Sequence, residues 1–221
     1  MASLYKNNLL HIFVLVIILV LLFAFMTKLK QGSFFGVSPQ MPEFTEPAKI
    51  IDNTFYHKQH RFSVSIPNRR WELTWSAARD SLLKHDPVRP LFETTNWLVK
   101  LFQRHGSDSL AVIQIGILRL DQQRSSQQLA KQSLDELRSY YVPPDTIRII
   151  KDVTSSGTSR QQAAYYMIGL PENIYVPYPY LITMIVVQNH LAYATRCQVR
   201  SQSYELLKPE LETILRSFRV Y

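Results

Sequence analysis

The sequence predicts an α+β domain, a mainly antiparallel sheet covered by helices, behind one N-terminal transmembrane helix. Three observations carry that expectation. Residues 9–26 are almost wholly apolar, prolines and glycines gather just after them, and from Ala48 onward hydrophobic periods of two and of 3.6 take turns. The layout that follows is an anchor at 1–27, a Pro/Gly-containing stalk at 28–47 and a soluble domain at 48–221.

The anchor reads "LLHIFVLVIILVLLFAFM", with His11 as its single polar interruption. The whole run, Leu9, Ile12, Val16, Leu19, Phe23 and Met26 among it, is apolar on every face, which a helix buried in a soluble core does not need. Eighteen residues at 1.5 Å each reach about 27 Å, close to the roughly 30 Å hydrocarbon layer, so the bilayer is the expected partner of residues 9–26. A cleaved signal peptide would have a shorter apolar stretch and close on an A-x-A-like site; this one closes on "AFMTKLKQG". No cysteine follows that could carry a lipid, and the glutamate that pilins place just inside such a stretch is missing. Lys6 on one side and Lys28 and Lys30 on the other leave the positive-inside rule nearly silent. In the stalk, Gly32, Gly36, Pro39, Pro42 and Pro47 argue for an extended segment, and Phe34 and Phe35 are apolar groups free to meet membrane or domain.

The domain opens with "KIIDNTFYH" and "RFSVSIP", two strands joined by a turn at Lys58–His60. The stretch from Trp71 to Gly106 is the least legible; within it "PLFETTNWLVKLFQRH" suggests a short strand or helical turn with Trp97, Leu98, Leu101 and Phe102 inward. In "DSLAVIQIGILRL" Ile113, Ile115 and Ile117 share one face and Val112, Gly116 and Leu118 the other, the pattern of a central strand covered on both sides. Residues 126–142 switch to helical spacing. Ala130, Leu134, Leu137 and Tyr141 make the stripe, Lys131, Asp135 and Arg138 turn away, and Pro143–Pro144 end it. "DTIRIIKDVTSSG" and "SRQQAAYYMIGL" read as two strands about a Ser/Gly turn near 155–158, and "PYLITMIVV", "QNH" and "LAYATRCQV" as a hairpin. Tyr204, Leu207, Leu211, Ile214 and Phe218 form one face of a closing helix whose main part should start at Pro209. The sum is five or six antiparallel strands with helices after the third and at the end.

The formal charge of +8 invites a nucleic-acid reading, but its densest patches are only Arg69–Arg70 and "KLK" at 28–30, with no zinc-finger or RNA-binding signature. No nucleic acid is expected. Cys197, the one cysteine, follows Tyr193 and Thr195 along one face and reads as a small core residue. The six histidines show no metal-ligand spacing; His57 and His60, in one turn, read as solvated. Asp135, Glu136, Glu210 and Glu212 read as solvated helix faces. Phosphate loops, nucleophile elbows and S-x-x-K pairs are missing, so neither an enzyme nor a cofactor is expected. One segment stands out for binding: "LPENIYVPYPY" at 170–180 puts Tyr175, Tyr178 and Tyr180 among three prolines. Such a stiffened tyrosine loop suits an interface, or else folds back to cover the sheet.

The opening "FSVSIPNRRW" resembles the F-x-(V/I)-x-(I/Y)-P-x-x-W start of the PsbP-like domains, which share a fold with the Ran-release factor Mog. "ILRSFRVY" at 214–221 resembles the I-x-x-S-F-(R/K) run that closes them, and the elements between follow the same order over roughly 48–221. The resemblance implies an α/β/α sandwich, usually non-enzymatic, often bacterial, secreted or membrane-anchored, with no catalytic motif to carry over. With the anchor, it implies a domain on the extracytoplasmic side, periplasmic or lumenal. The expected role is an accessory or assembly subunit of a membrane protein complex, with Tyr175, Tyr178, Tyr180, Arg69 and Arg70 as docking candidates. A module holding a lipid or other apolar ligand between sheet and helices is the alternative, and would need a pocket lined by Ile113, Ile115 and Met184. A hydrolase would need histidine and carboxylate side chains to converge.

Overall fold

The computed structural model describes residues 40–75, 91, 95–106, 108–140, 147–158, 161–170 and 178–221. The apolar segment 9–26, Phe34, Phe35, Tyr141, Pro143, Pro144 and Tyr175 lie outside the described residues. Among those described, no helix is long and apolar enough to cross a membrane.

Among the described residues, two antiparallel sheets and two helices make up the unit that begins at Met41. The smaller sheet holds β1 (Ala48–Ile51), β2 (Thr54–His57), β3 (Phe62–Ser65) and β11 (Arg219–Val220), in the order β1-β2-β3-β11. The larger holds β4 (Trp71–Trp75), β5 (Asn96–His105), β6 (Asp108–Arg119), β7 (Arg148–Thr158), β8 (Gln161–Gly169), β9 (Tyr180–Gln188) and β10 (Leu191–Val199), in the order β4-β5-β6-β10-β9-β8-β7. The helices are α1 (Ser126–Tyr140) and α2 (Ser201–Ser217).

The larger sheet separates two apolar layers. Ala111, Ile113, Ile115 and Ile117 of β6 face one way with Met184, Tyr193 and Cys197, and meet Leu207, Leu211 and Ile214 of α2 together with Phe55, Phe62 and Val64 of the smaller sheet. Leu118 of β6, with Ala192, Ile185 and Tyr166, faces the other way against Leu129, Leu134 and Leu137 of α1. Each isoleucine of β6 is fully buried, worth about 1.5–3 kcal/mol apiece against exposure. This is the doubly covered strand that the sequence predicts. A reciprocal capping box starts α1: the Gln128 amide N–H donates to Ser125 Oγ (3.1 Å) and the Ser125 N–H to Gln128 Oε1 (2.9 Å).

Several expectations need correction. Among the described residues, eleven strands in two sheets replace five or six in one. "KIIDNTFYH" is a hairpin, because Asp52 and Asn53 take left-handed φ of 48° and 59° and reverse the chain in two residues. The obscure stretch contains the ten-residue β5, in which Leu98 and Leu101 are buried as expected while Trp97 and Phe102 are only half-buried. Strands β7 and β8 run through the Ser/Gly stretch, so the reversal falls after Thr158. Pro209 lies inside α2 rather than at its start. Its ring removes the bond to the Glu205 carbonyl, on a residue exposed to water that can take its place. Phe218 is buried as predicted but has left the helix, so that β11 can pair with β3.

Candidate docking surface

The motif "IPNRRW" becomes a turn pinned to α2. The Asn68 side chain folds back so that its Oδ1 accepts the Arg70 N–H at 2.9 Å, an Asx-turn that fixes the arginine pair. Its Nδ2 donates to Glu210 Oε1 at 2.8 Å, and the indole Nε1 of buried Trp71 donates to Glu210 Oε2 at 2.6 Å. One carboxylate of α2 thus holds both ends of the motif, and Arg69 and Arg70 between them are exposed. Glu210 is therefore half-buried rather than the solvated group expected of it. So is Glu136, which accepts the Leu91 N–H (2.7 Å) and Gln132 Nε2 (2.7 Å). Asp135 and Glu212 are exposed, as predicted.

The tyrosines are held by the domain as well. The Tyr178 hydroxyl donates to the Ser109 carbonyl at 3.2 Å, and the Arg200 guanidinium lies 5.9 Å from its ring centroid. Arg200 also pairs with Asp108 at 3.4 Å. The Tyr180 ring stacks on Tyr204 of α2 at 4.8 Å and 28°. Tyr204 then donates to the Met167 sulfur at 3.5 Å, and burial raises its phenol above the ordinary value. Both Tyr178 and Tyr180 keep part of their surface in water.

Strand register decides what shares a surface. Trp71 pairs with Gln103, His105 with Asp108, Ala111 with Val199, and Val199 with Tyr180. The start of β4, the end of β5, the start of β6, the end of β10 and the start of β9 therefore lie at one end of the larger sheet. Arg69–Arg70 emerge there beside β4 and Tyr178–Tyr180 beside β9, four strand spacings apart, or roughly 19 Å. Arg104, Arg148 and Arg200 occupy the same end. Arg104 is paired to Glu72 at 3.0 Å. Among the described residues no ion pair engages Arg69, Arg70 or Arg148.

The other titratable groups among the described residues lie apart from this surface. His57 and His60 are not solvated: they are 0% and 6% exposed, with ring centroids 4.8 Å apart among Phe55, Phe62, Trp75 and Tyr193. That corrects the turn reading. The signal lay in period two, which puts His57 on the inward face of Phe55. Burial, with neighbouring His60 adding to it, pushes His57 down to about 4, and burial lowers His60. Cys197 is fully buried, as expected, and its thiol is pushed up to about 12. Lys151 donates to the Tyr165 hydroxyl at 2.5 Å and holds that phenol below its ordinary value. Among the described residues no three metal-ligating side chains gather, and no histidine pairs with a carboxylate. Ile113, Ile115 and Met184 pack directly in the core against α2, and the shallow concavities along α1 and beside Ser126 and Val187 are not lined by them.

This fold is that of the PsbP-like proteins. The solution structure of cyanobacterial PsbP (CyanoP) from Synechocystis sp. PCC 6803 superposes with a TM-score of 0.51 over 76% of this chain and 91% of that one, at 10% identity. At that identity the likeness defines the fold and leaves the role open. No protein-family model matches the sequence, and no curated protein matches it.

Proposed function

We propose that this chain is a single-pass, membrane-anchored, non-enzymatic accessory or assembly subunit of a membrane protein complex, with its PsbP-like domain on the extracytoplasmic side. The observation that carries the reading is the convergence, at one end of the larger sheet, of Arg69–Arg70 with Tyr178 and Tyr180. Each group is held by its own packing: the arginines by the Asn68–Glu210–Trp71 bonds, the tyrosines by Ser109, Arg200 and Tyr204. The preordered aromatic rings lose little freedom on docking, and the exposed guanidinium groups, carried on a fixed turn, suit a partner surface carrying carboxylates. The apolar run at 9–26 supplies the anchor, and the fold shared with cyanobacterial PsbP supports a role without chemistry.

Two measurements test it. Alkaline carbonate washing of membranes should leave the full chain in the pellet and release a chain lacking residues 1–27; release of both refutes the anchor. Gentle detergent extraction should then recover a stoichiometric membrane partner that is lost when Arg69, Arg70, Tyr178 and Tyr180 are changed to Ala. A partner retained by that variant refutes this docking surface, and a chain recovered alone refutes the subunit role.

A further inference from the structure

Two imidazoles are sealed in an apolar corner where the smaller sheet meets the larger. The His57 ring stacks on Phe62 at 5.2 Å and 20°, and meets Phe55 and Trp75 edge-on at 6.2 and 6.4 Å. Its Nδ1 accepts the backbone N–H of His60 at 3.4 Å, so the proton of the neutral ring sits on Nε2. Among the described residues neither Nε2 has a hydrogen-bond partner. Such orphaned polar atoms are uncommon in a core and mark where it is least secure.

The surroundings make a charge here costly. From the same turn come His60 and Arg61; from β10 comes the Tyr193 hydroxyl, which donates to the His60 carbonyl at 3.0 Å and feels the Arg61 charge. Among the described residues, Trp75 of β4, Ala48 of β1 and Phe218 beyond α2 line the rest of the corner without an ionisable group. None of these is a carboxylate. A proton arriving on His57 Nδ1 would also set two donors face to face in place of the bond from the His60 N–H; the residue's own backbone favours the charged ring, but by less than burial and His60 oppose it.

We propose that the His57–His60 pair is an acid-operated latch: with both rings neutral it holds β1, β2 and the 58–61 turn against the larger sheet, and protonation releases them. The released segment is the one through which the domain joins residues 1–40, and its departure uncovers Phe55 and Phe62. The direction follows from burial. Open, the imidazoles return toward their ordinary value of 6.5; closed, His57 stays neutral down to about 4. The latch is fully engaged above about pH 6.5 and loosens as acid is added, and it has no further proton to respond to below about pH 4. From His57 alone, linkage makes the open form about 50-fold more populated at pH 4.5 than at pH 7.

Hydrogen exchange of the full chain in detergent, corrected for intrinsic rates, tests the latch at about pH 7 and about pH 4.5. Amides of β1, β2 and the 58–61 turn should lose protection about 50-fold on acidification while β6 and β10 keep theirs. Equal losses in both sheets, or none, overturn the proposal. His57→Phe keeps the stacked ring without the titration and should hold β1, β2 and the 58–61 turn closed at the lower pH; loss of protection equal to the parent's overturns it. Should that variant fail to fold, the imidazole resonances of the parent chain decide: titration near 4 for His57 supports the latch, and titration near 6.5 overturns it.

Discussion

Changing Glu210 to Ala removes both acceptors that the "PNRRW" turn uses. The buried Trp71 indole N–H, bonded at 2.6 Å, is left without a partner, and the half-buried Asn68 amide loses its 2.8 Å bond. An unsatisfied buried donor costs about 1–3 kcal/mol, while Asn68 can turn to water and lose about 1 kcal/mol. The expected loss is about 2–4 kcal/mol. At about 2–4 °C per kcal/mol for a domain of this size, that lowers Tm by roughly 4–16 °C. Glu210→Gln keeps one acceptor and turns a donor toward the other partner, so it should fall about midway. Urea denaturation of a fragment spanning 41–221 gives the free energies, and combination with Trp71→Phe isolates the indole bond. Because Trp71→Phe already lacks the N–H, adding Glu210→Ala to it should cost at least 1 kcal/mol less than adding it to the parent. A Glu210→Ala loss under 0.5 kcal/mol, or strict additivity with Trp71→Phe, would refute the claim that this carboxylate fixes the arginine turn.

Three further outcomes are expected. Gly116→Ala would place a methyl 2.5 Å from Thr95 Cγ2 and 2.9 Å from the Asn96 carbonyl, so the β5–β6 pairing must shift; a denaturant midpoint lowered by about 2 kcal/mol or more is expected, and a neutral variant would count against that close approach. Cys197 should ignore a thiol reagent at pH 8 while the domain is folded and react fully in denaturant, since burial pushes its thiol up to about 12; labelling of the folded domain at the rate of a free thiol would contradict the packing. His190→Gly relieves a left-handed φ of 60° in the β9–β10 turn and creates the favoured Asn-Gly pair, so stability should rise by about 0.5–1 kcal/mol; a decrease would show that the imidazole does more than occupy the turn.

Elements defined by their own neighbours in sequence are legible in the residues themselves. The β9–β10 hairpin carries its turn and both apolar faces locally, and β6 shows its two covered faces in one run of residues. Elements defined by distant partners are not. In β5 the register slips between Trp97 and Val99, so consecutive Leu98 and Val99 are both buried and the alternation that marks a strand is broken. Strand β11 is two residues long and exists only because β3 is beside it. The same division holds for the docking surface. Arg69, Arg70, Tyr178 and Tyr180 stand out by residue type, but their shared sheet end follows from strand order. Glu210 looks like any exposed helical carboxylate, because nothing local reveals that it reaches Asn68 and Trp71 across the fold.

The pairing of β11 with β3 also sets an order of events during synthesis. Tyr221 bonds the Arg61 carbonyl through its N–H and Ser63 through its hydroxyl, the latter across 158 positions of sequence. At about 5–20 residues per second, β3 waits roughly 8–32 s after its own emergence for the strand that will cover it. Until then its free edge is a template on which a neighbouring nascent chain could pair, and the wait can end only when residues 219–221 have left the ribosome. Slowing or stalling synthesis anywhere between β3 and β11 should therefore raise aggregation more than the same pause placed before β3.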